Sequence, residues 1–165
     1  MPIADLLLPE FDAEMAITRK MLERVPVEKG SFAPHPKSTQ LQRLAPHVAQ
    51  LTQFGLVVLT TPGLDFSAGS ISPVPFESPA QLVGVLDEGA AKTRAALKST
   101  SDPAWTEPWK LSFQGKPIFS GPRMLAYRQM FLNHIVHHRA QLGVYLRLND
   151  VPLPSTYGPS ADDTL

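Results

Sequence analysis

The chain has 165 residues, of which 43% are hydrophobic and 18% charged, a composition typical of a globular protein that can bury a core. Its 15 basic residues balance 15 acidic ones without a basic cluster, so we expect no nucleic-acid partner. Cysteine is absent, which excludes disulfides and protein thiols. With no apolar run of membrane-spanning length and no signal-peptide pattern, we expect no membrane association and one cytoplasmic domain over residues 1–165.

Apolar residues recur with helical spacing in four segments of the sequence. We expect the first helix from Asp5 to Val25 and the second from an N-cap at Ser38 to about Thr60. The third begins at Ser78–Pro79 and reaches Leu97, and the fourth runs from Pro122 to about Asn149. Four long helices with two long connections predict an all-α four-helix bundle with long crossover loops.

The first long connection contains prolines and glycines among serines, and the second is the least regular stretch of the chain. Residues 62–77 predict a loop, and residues 102–121 predict a short hairpin that turns at Gln114–Gly115. The second connection also contains Trp105 and Trp109. These tryptophans either cover a pocket or pin the connection to the bundle.

Histidines are concentrated in the fourth helix, where three of the five lie between positions 134 and 138. His134 and His138 are four residues apart, so they share one helix face and both imidazoles can reach one metal ion. His137 is rotated by about 100° from His138 and points away from that face. His47 lies on the inward stripe of the second helix and is the candidate third ligand. Three protein ligands with an open position are the pattern of a catalytic metal site.

The alternative for His47 is a core histidine that is hydrogen-bonded to a neighbour. Pro46, directly before it, removes one backbone hydrogen bond, so we expect a kink there. His35 lies in a loop between prolines, where it either approaches the mouth of the site or remains solvated.

Other residues of the fourth helix are candidates to support the site. Gln141 and Asn133 can accept hydrogen bonds from ligating imidazoles. Tyr127 and Tyr145 are each two turns from a ligand and either direct a hydroxyl into the pocket or serve as core aromatics. Arg139 either pairs with a carboxylate or backbone carbonyls, or is a plain surface arginine.

Several catalytic motifs are absent, including a glycine-rich phosphate loop, a Gly-x-Ser-x-Gly elbow and the His-Glu-x-x-His motif of metalloproteases. Two classes of function remain. One is a metal-dependent enzyme whose ion activates a water or a low-molecular-weight thiol, since the chain has no thiol of its own. The other is a non-catalytic metal-binding or stress-associated bundle whose ion supports the fold. A set of three histidine ligands does not distinguish nickel, zinc and iron.

Four segments of the sequence match the pattern of one protein family. They are Phe32-Ala33-Pro34-His35-Pro36-Lys37-Ser38, Leu44-Ala45-Pro46-His47, Asn133-His134-Ile135-Val136-His137-His138-Arg139-Ala140-Gln141-Leu142 and Leu153-Pro154-Ser155-Thr156-Tyr157-Gly158-Pro159-Ser160-Ala161-Asp162. With these segments, the chain resembles the DinB-like (YfiT-like) metalloenzyme family over nearly its whole length.

The resemblance implies an up-down-down-up four-helix bundle that forms a homodimer. It also implies a divalent ion, nickel or zinc, bound by three histidines that fall on His47, His134 and His138. Members of this family include bacillithiol S-transferases and mycothiol-dependent enzymes. Many other members have no known activity. The resemblance therefore implies a small-molecule substrate such as a low-molecular-weight thiol and a reaction of the S-transferase type, and activation of water by the ion gives the hydrolase alternative.

Overall fold

The computed structural model describes residues 1–69 and 73–164, so residues 70–72 of the predicted 62–77 loop lie outside the described residues. Helix α1 is Ile3–Leu22, α2 is Leu41–Thr60 and α3 is Pro79–Ser99. The fourth helical stretch consists of α4, the π-helical segment and α5, which span Arg123–Ala126, Tyr127–Leu132 and Asn133–Leu148. The predicted helix boundaries lie within three residues of these positions.

The four long helical stretches pack around one hydrophobic core. Helices α1 and α2 each contact both α3 and α5, whereas α1 touches α2 at only a few positions. The helices therefore form a ring in the order α1–α3–α2–α5. Buried side chains on the predicted stripes include Leu7, Phe11, Leu22, Leu44, Leu51, Leu82, Leu86, Phe131 and Leu142. None of the described helices is long and apolar enough to span a membrane.

Gly89 allows α3 to approach α2 closely. A Cβ atom at this position would lie 2.1 Å from the Oγ1 atom of Thr52, far inside the contact distance. One turn further along α3, the Thr93 hydroxyl donates a hydrogen bond of 2.6 Å to the carbonyl of Thr52. This close contact explains why α3 has a glycine at this position, although glycine is about 1 kcal/mol less favourable than alanine in a helix.

The expectation of an all-α fold is wrong in one respect, because the described residues also form a three-stranded sheet. Strand β1, Gly63–Asp65, pairs in parallel with β2, Pro108–Phe113, and β2 pairs antiparallel with β3, Lys116–Pro122. Strand β2 buries Trp109 and Leu111 and exposes the intervening residue, as expected for a strand with one face on the core. The fold is thus mostly helical, with a small sheet built from the two long connections.

The hairpin between β2 and β3 turns at Gln114–Gly115, which confirms that prediction. Both residues have positive φ angles, 51° and 73° respectively, as a two-residue type I′ turn requires. The carboxylate of Asp65 then joins β1 to this turn, because it accepts hydrogen bonds from the Ser112 hydroxyl at 2.9 Å and the Gly115 N–H at 3.0 Å. Hydrogen bonds from Ser67 and Gly115 hold the pKa of Asp65 below its ordinary value.

Both tryptophans belong to the core rather than to the roof of a pocket. Trp105 and Trp109 are fully buried. Trp105 packs edge-on against Tyr127, with ring centroids 5.4 Å apart, and Trp109 packs edge-on against Phe54 at 6.2 Å. Of the two predicted alternatives, the structure therefore has the one in which they pin the connection to the bundle.

Arg139 is a core residue and not a surface arginine, since only 3% of its surface is exposed. Its guanidinium forms an ion pair of 2.6 Å with Glu14 on α1 and donates a hydrogen bond to the Thr18 hydroxyl. It also donates to the Tyr157 hydroxyl at 2.7 Å, and Tyr157 in turn donates to Glu14. This network joins α1, α5 and the C-terminal tail. Of the predicted alternatives for Arg139, the structure therefore has the one in which it pairs with a carboxylate.

Candidate metal centre

Three histidines meet where α2 packs against α5. One ring nitrogen from each of His47, His134 and His138 lies within 4.8 Å of the others. The ring centroid of His47 is 4.6 Å from that of His138 and 5.3 Å from that of His134. The structure therefore brings together the three residues named from the sequence, and their binding of a metal ion stays a prediction.

The Nε2 atoms of His134 and His138 face each other at 2.8 Å. The Nδ1 atom of His134 lies 3.2 Å from the carbonyl oxygen of Met130, which can only accept, so this nitrogen carries the proton. The Nδ1 atom of His138 lies 2.7 Å from Oε1 of Gln141 and donates to it. In neutral rings, the two facing Nε2 atoms therefore carry lone pairs and no proton.

Burial is the largest cause that lowers the pKa of each clustered histidine. Burial, followed by the nearby rings of His138 and His134, lowers the pKa of His47 to about 4. The pKa values of His134 and His138 also lie below the ordinary value, although the hydrogen bonds to Met130 and Gln141 oppose this shift. The cluster is consequently uncharged at neutral pH.

A divalent ion fits these donors. Two imidazole nitrogens bound to one zinc ion at about 2.0–2.1 Å lie roughly 3.3 Å apart at the tetrahedral angle, so a small outward movement of the facing nitrogens from 2.8 Å admits the ion. Neutral imidazole is the form that binds a metal, and acceptors for the other ring N–H orient the ligating nitrogen. Met130 and Gln141 supply such acceptors.

The π-helical segment determines which side of α5 faces the core. At its end, the N–H of Asn133 bonds to the carbonyl of Arg128, five residues back. This wider turn shifts the helical phase, so that Ile135 and Arg139 are buried and the two histidines lie beside them towards α2. The Met130 carbonyl that accepts from His134 also belongs to this segment.

Two spaces adjoin the histidine cluster. The apolar pocket has a volume of about 80 Å³ and is lined by His47, Gln50, Leu51, Phe54, Phe66 and His134. The polar groove has a volume of about 530 Å³ and is lined by Lys37, Ser38, Thr39, Arg43, Leu44, His47, His138, Gln141 and Tyr145. The cluster thus lies between a small apolar space and a larger polar one.

Phe66 is the site residue that sequence reasoning missed. It follows β1 in the first long connection and stacks on Phe54, with ring planes 13° apart and centroids at 6.0 Å. Its connection shows no periodicity in the sequence, and its position depends on the pairing of β1 with β2. The prolines and glycines of residues 62–77 predicted a loop and did not single out Phe66.

Of the residues that the sequence suggested as supports for the site, some contact it and others lie elsewhere. Gln141 accepts from His138 as expected, whereas Asn133 is exposed at the start of α5. Tyr145 lines the polar groove and donates a hydrogen bond of 2.7 Å to the carbonyl of Thr39. Tyr127 is a core aromatic whose hydroxyl has no hydrogen-bond partner among the described residues, and burial raises its pKa.

The remaining histidines lie outside the cluster. His137 is exposed on α5, and its ring centroid is 4.8 Å from that of His138. His35 is exposed in the loop before α2, where its Nδ1 atom accepts from the N–H of Lys37. Helix α2 continues through Pro46, and His47 reaches the cluster.

Known proteins with similar sequences and structures place this chain in a family. Residues 10–142 match the sequence model of the DinB superfamily. The fold is similar to the crystal structure of a DinB-like protein from Bacillus cereus ATCC 10987, with a TM-score of 0.70, 25% identity and coverage of 94% of this chain and 98% of that one. It is also similar to a DinB-like protein, YjoA, from Bacillus subtilis, with a TM-score of 0.67, 16% identity and coverage of 97% and 99%. No curated protein matches the sequence. Since the family model spans most of its length, the chain belongs to the DinB superfamily.

Proposed function

We propose that His47, His134 and His138 bind one divalent metal ion, and that the protein is a metal-dependent enzyme of the thiol S-transferase or hydrolase type. The facing Nε2 atoms of His134 and His138 carry this proposal. Two lone pairs at 2.8 Å repel each other, and a cation between them converts that repulsion into attraction. Membership of the DinB superfamily, with its resemblance to metal-dependent thiol enzymes, supports the same conclusion.

The bound ion would supply Lewis acidity, which lowers the pKa of a thiol or water at an open position. The three imidazoles are neutral and leave the charge of such an ion uncompensated. Met130 and Gln141 hold the ligating nitrogens of His134 and His138 in place. The apolar walls of Phe54 and Phe66 limit the access of water on one side of the cluster.

The polar groove supports an enzyme over a non-catalytic metal-binding or stress-associated bundle. It opens directly beside His47 and His138, and its volume of about 530 Å³ is that of a small-molecule site. A structural metal site is usually closed by four protein ligands, whereas this cluster offers three. A substrate can therefore reach the ion from the groove.

Thiol chemistry in this protein requires a low-molecular-weight thiol, because the chain contains no cysteine. The hydrolase variant of the proposal uses water in its place. The three nitrogen donors are compatible with nickel, zinc or iron.

Metal analysis of protein purified without a histidine tag tests the first part of the proposal, with about one divalent ion per chain as the expected result. Cobalt substitution tests the open position, since a coordinating thiol adds an intense charge-transfer band in the near ultraviolet. Assays with thiols and carbon electrophiles, and with hydrolysable esters and amides, then separate transferase from hydrolase activity. A tightly bound ion whose cobalt spectrum responds to neither thiols nor small anions would favour the non-catalytic bundle.

We further propose the homodimer that the resemblance implies. Val144 and Leu148 of α5 are apolar and more than half exposed, which suits a contact between two copies. Light scattering at micromolar concentration measures the mass directly, and a monomer would contradict this proposal.

A further inference from the structure

We infer that the polar groove recognises the anionic part of the substrate, a carboxylate or phosphate group, through Lys37 and Arg43. This inference rests on the proposed function, because the groove shares His47 and His138 with the candidate metal centre. It names the substrate class as a small anionic molecule whose reactive group lies at the histidine end of the groove.

The charged groups of the groove have one sign. Among the described residues, its ionisable lining residues are Lys37, Arg43, Tyr145 and two of the clustered histidines, and no described aspartate or glutamate lines it. Across the whole chain, by contrast, basic and acidic residues are equal in number. A cleft lined by one sign of charge concentrates ligands of the opposite sign.

Arg43 differs from every other arginine in the described part of the chain. The other seven donate to a carboxylate or a backbone carbonyl, and they are Arg19, Arg24, Arg94, Arg123, Arg128, Arg139 and Arg147. Neither Arg43 nor Lys37 forms an ion pair or a side-chain hydrogen bond with any described residue. Both cations therefore remain available to a ligand, and the guanidinium fork suits a carboxylate or a phosphate.

The side chains, and not the backbone of α2, provide this recognition. The first N–H groups of α2 are already used, because Leu41 donates to the carbonyl of Phe32 and Gln42 donates to that of Gly30. Gln141 uses its oxygen for His138, which leaves its amide N–H groups as further donors in the groove.

The sizes of the two spaces favour the approach of a substrate from the polar groove. The apolar pocket, at about 80 Å³, has room for only a few atoms, since one water occupies roughly 30 Å³ in the liquid. The groove, at about 530 Å³, can contain a small molecule that extends from the histidines to Lys37 and Arg43. An ion held by neutral histidines would add positive charge at the other end, which favours an anionic ligand further.

The test compares two thiols of equal chain length, anionic mercaptohexanoate and neutral mercaptohexanol, on the cobalt-loaded protein. The variant Lys37→Gln/Arg43→Gln removes the two groove cations. The matched control, Lys98→Gln/Lys116→Gln, removes two exposed cations that do not line the groove and changes the net charge equally. Because each thiol is compared with itself across the variants, differences in thiol acidity cancel.

We expect the groove variant to weaken mercaptohexanoate binding about tenfold, as two partly solvated ion pairs are lost, and to change mercaptohexanol binding less than about twofold. The control variant should bind both thiols as the original chain does. Added salt should weaken only the anionic thiol. Competition by acetate and by inorganic phosphate then shows which anion the groove prefers.

Equal losses for both thiols, or an equal loss in the control variant, would overturn the inference. If both thiols alter the cobalt spectrum but the groove variant has no effect on either, the anion site is wrong and the metal centre stands. If the protein binds no cobalt, the proposed function fails together with the inference built on it. Metal content, measured separately for every variant, distinguishes these two failures.

Discussion

Gln141 and His138 form a hydrogen bond of 2.7 Å, in which the amide oxygen accepts from Nδ1 of the ring. The two residues are three positions apart on α5, so one helix supplies both the candidate ligand and the group that orients it. The bond keeps the proton on Nδ1 and turns the Nε2 lone pair towards His134.

Replacement of this partner should therefore weaken metal binding. We expect Gln141→Ala to reduce metal affinity by about 10- to 100-fold, the usual loss when an orienting acceptor is removed. Gln141→Glu keeps an acceptor at the same position and should bind at least as tightly as the original chain. Competition with a chromophoric chelator measures both affinities. Equal affinities of the alanine and glutamate variants would show that this hydrogen bond has no role in the site.

Single alanine substitutions should separate the clustered histidines from their neighbour. His47→Ala, His134→Ala and His138→Ala should each lose most of the bound metal, because two nitrogens hold an ion poorly. His137→Ala is the matched control on the same helix and should retain about one ion per chain. Elemental analysis of untagged protein gives the ratio. Full occupancy in His47→Ala would rule out a site of three histidines.

Metal binding near pH 6.5 should displace few protons. Three ordinary histidines, each half protonated at their pKa of about 6.5, would release about 1.5 protons for each ion bound. Here burial lowers the pKa of all three, that of His47 to about 4, so each ring is already more than half deprotonated at pH 6.5. Binding should persist as the pH falls below 6.5 and be lost as it approaches the lowered pKa values.

Calorimetry in two buffers of different ionisation enthalpy counts these protons. We expect fewer than about one proton for each ion at pH 6.5. A count close to the value for three ordinary histidines would mean that the cluster is not desolvated in solution.

Removal of one residue from the π-helical segment should disrupt the metal site without removing the helix. Deletion of Gln129, an exposed residue of this segment, restores an ordinary α-helical turn and rotates α5 by about 100° relative to α4. The deletion variant should lose metal while circular dichroism still reports helix. Gln129→Ala keeps the chain length and should bind metal normally. Normal metal binding by the deletion variant would show that the wide turn does not position the histidines.

Two glycines of α3 should respond in opposite ways to alanine. Gly89→Ala places a methyl group against Thr52 and should lower the free energy of unfolding by about 1–3 kcal/mol. Gly84→Ala lies on the same helix, where no atom of the described residues is within 4 Å of the added atom, and should raise that free energy by about 0.5–1 kcal/mol. Chemical denaturation measures both. Similar effects at the two positions would contradict the close approach of α2 and α3.

The sequence was sufficient to predict the features of this protein that depend on local periodicity. The four helices follow from apolar residues at helical spacing, and the pairing of His134 with His138 follows from a separation of four residues. The turn at Gln114–Gly115 could also be predicted from local sequence, because glycine readily adopts the positive φ that such a turn needs. His47 was predicted as the third ligand because it shares a face of the second helix with apolar residues of the predicted core.

Only the tertiary structure decided the features that depend on distant residues or on helical phase. Strand β1 has three residues, too few for a periodic pattern, and it exists because it pairs with a strand more than 40 positions away. The π-helical segment changed the phase of α5, which buried Arg139 against Glu14 and brought the histidines to the edge that faces α2. The polar groove likewise joins Lys37 and Arg43 to His138 from the far end of the chain. The packing of α2 against α5 creates that neighbourhood, and no local pattern in the sequence encodes it.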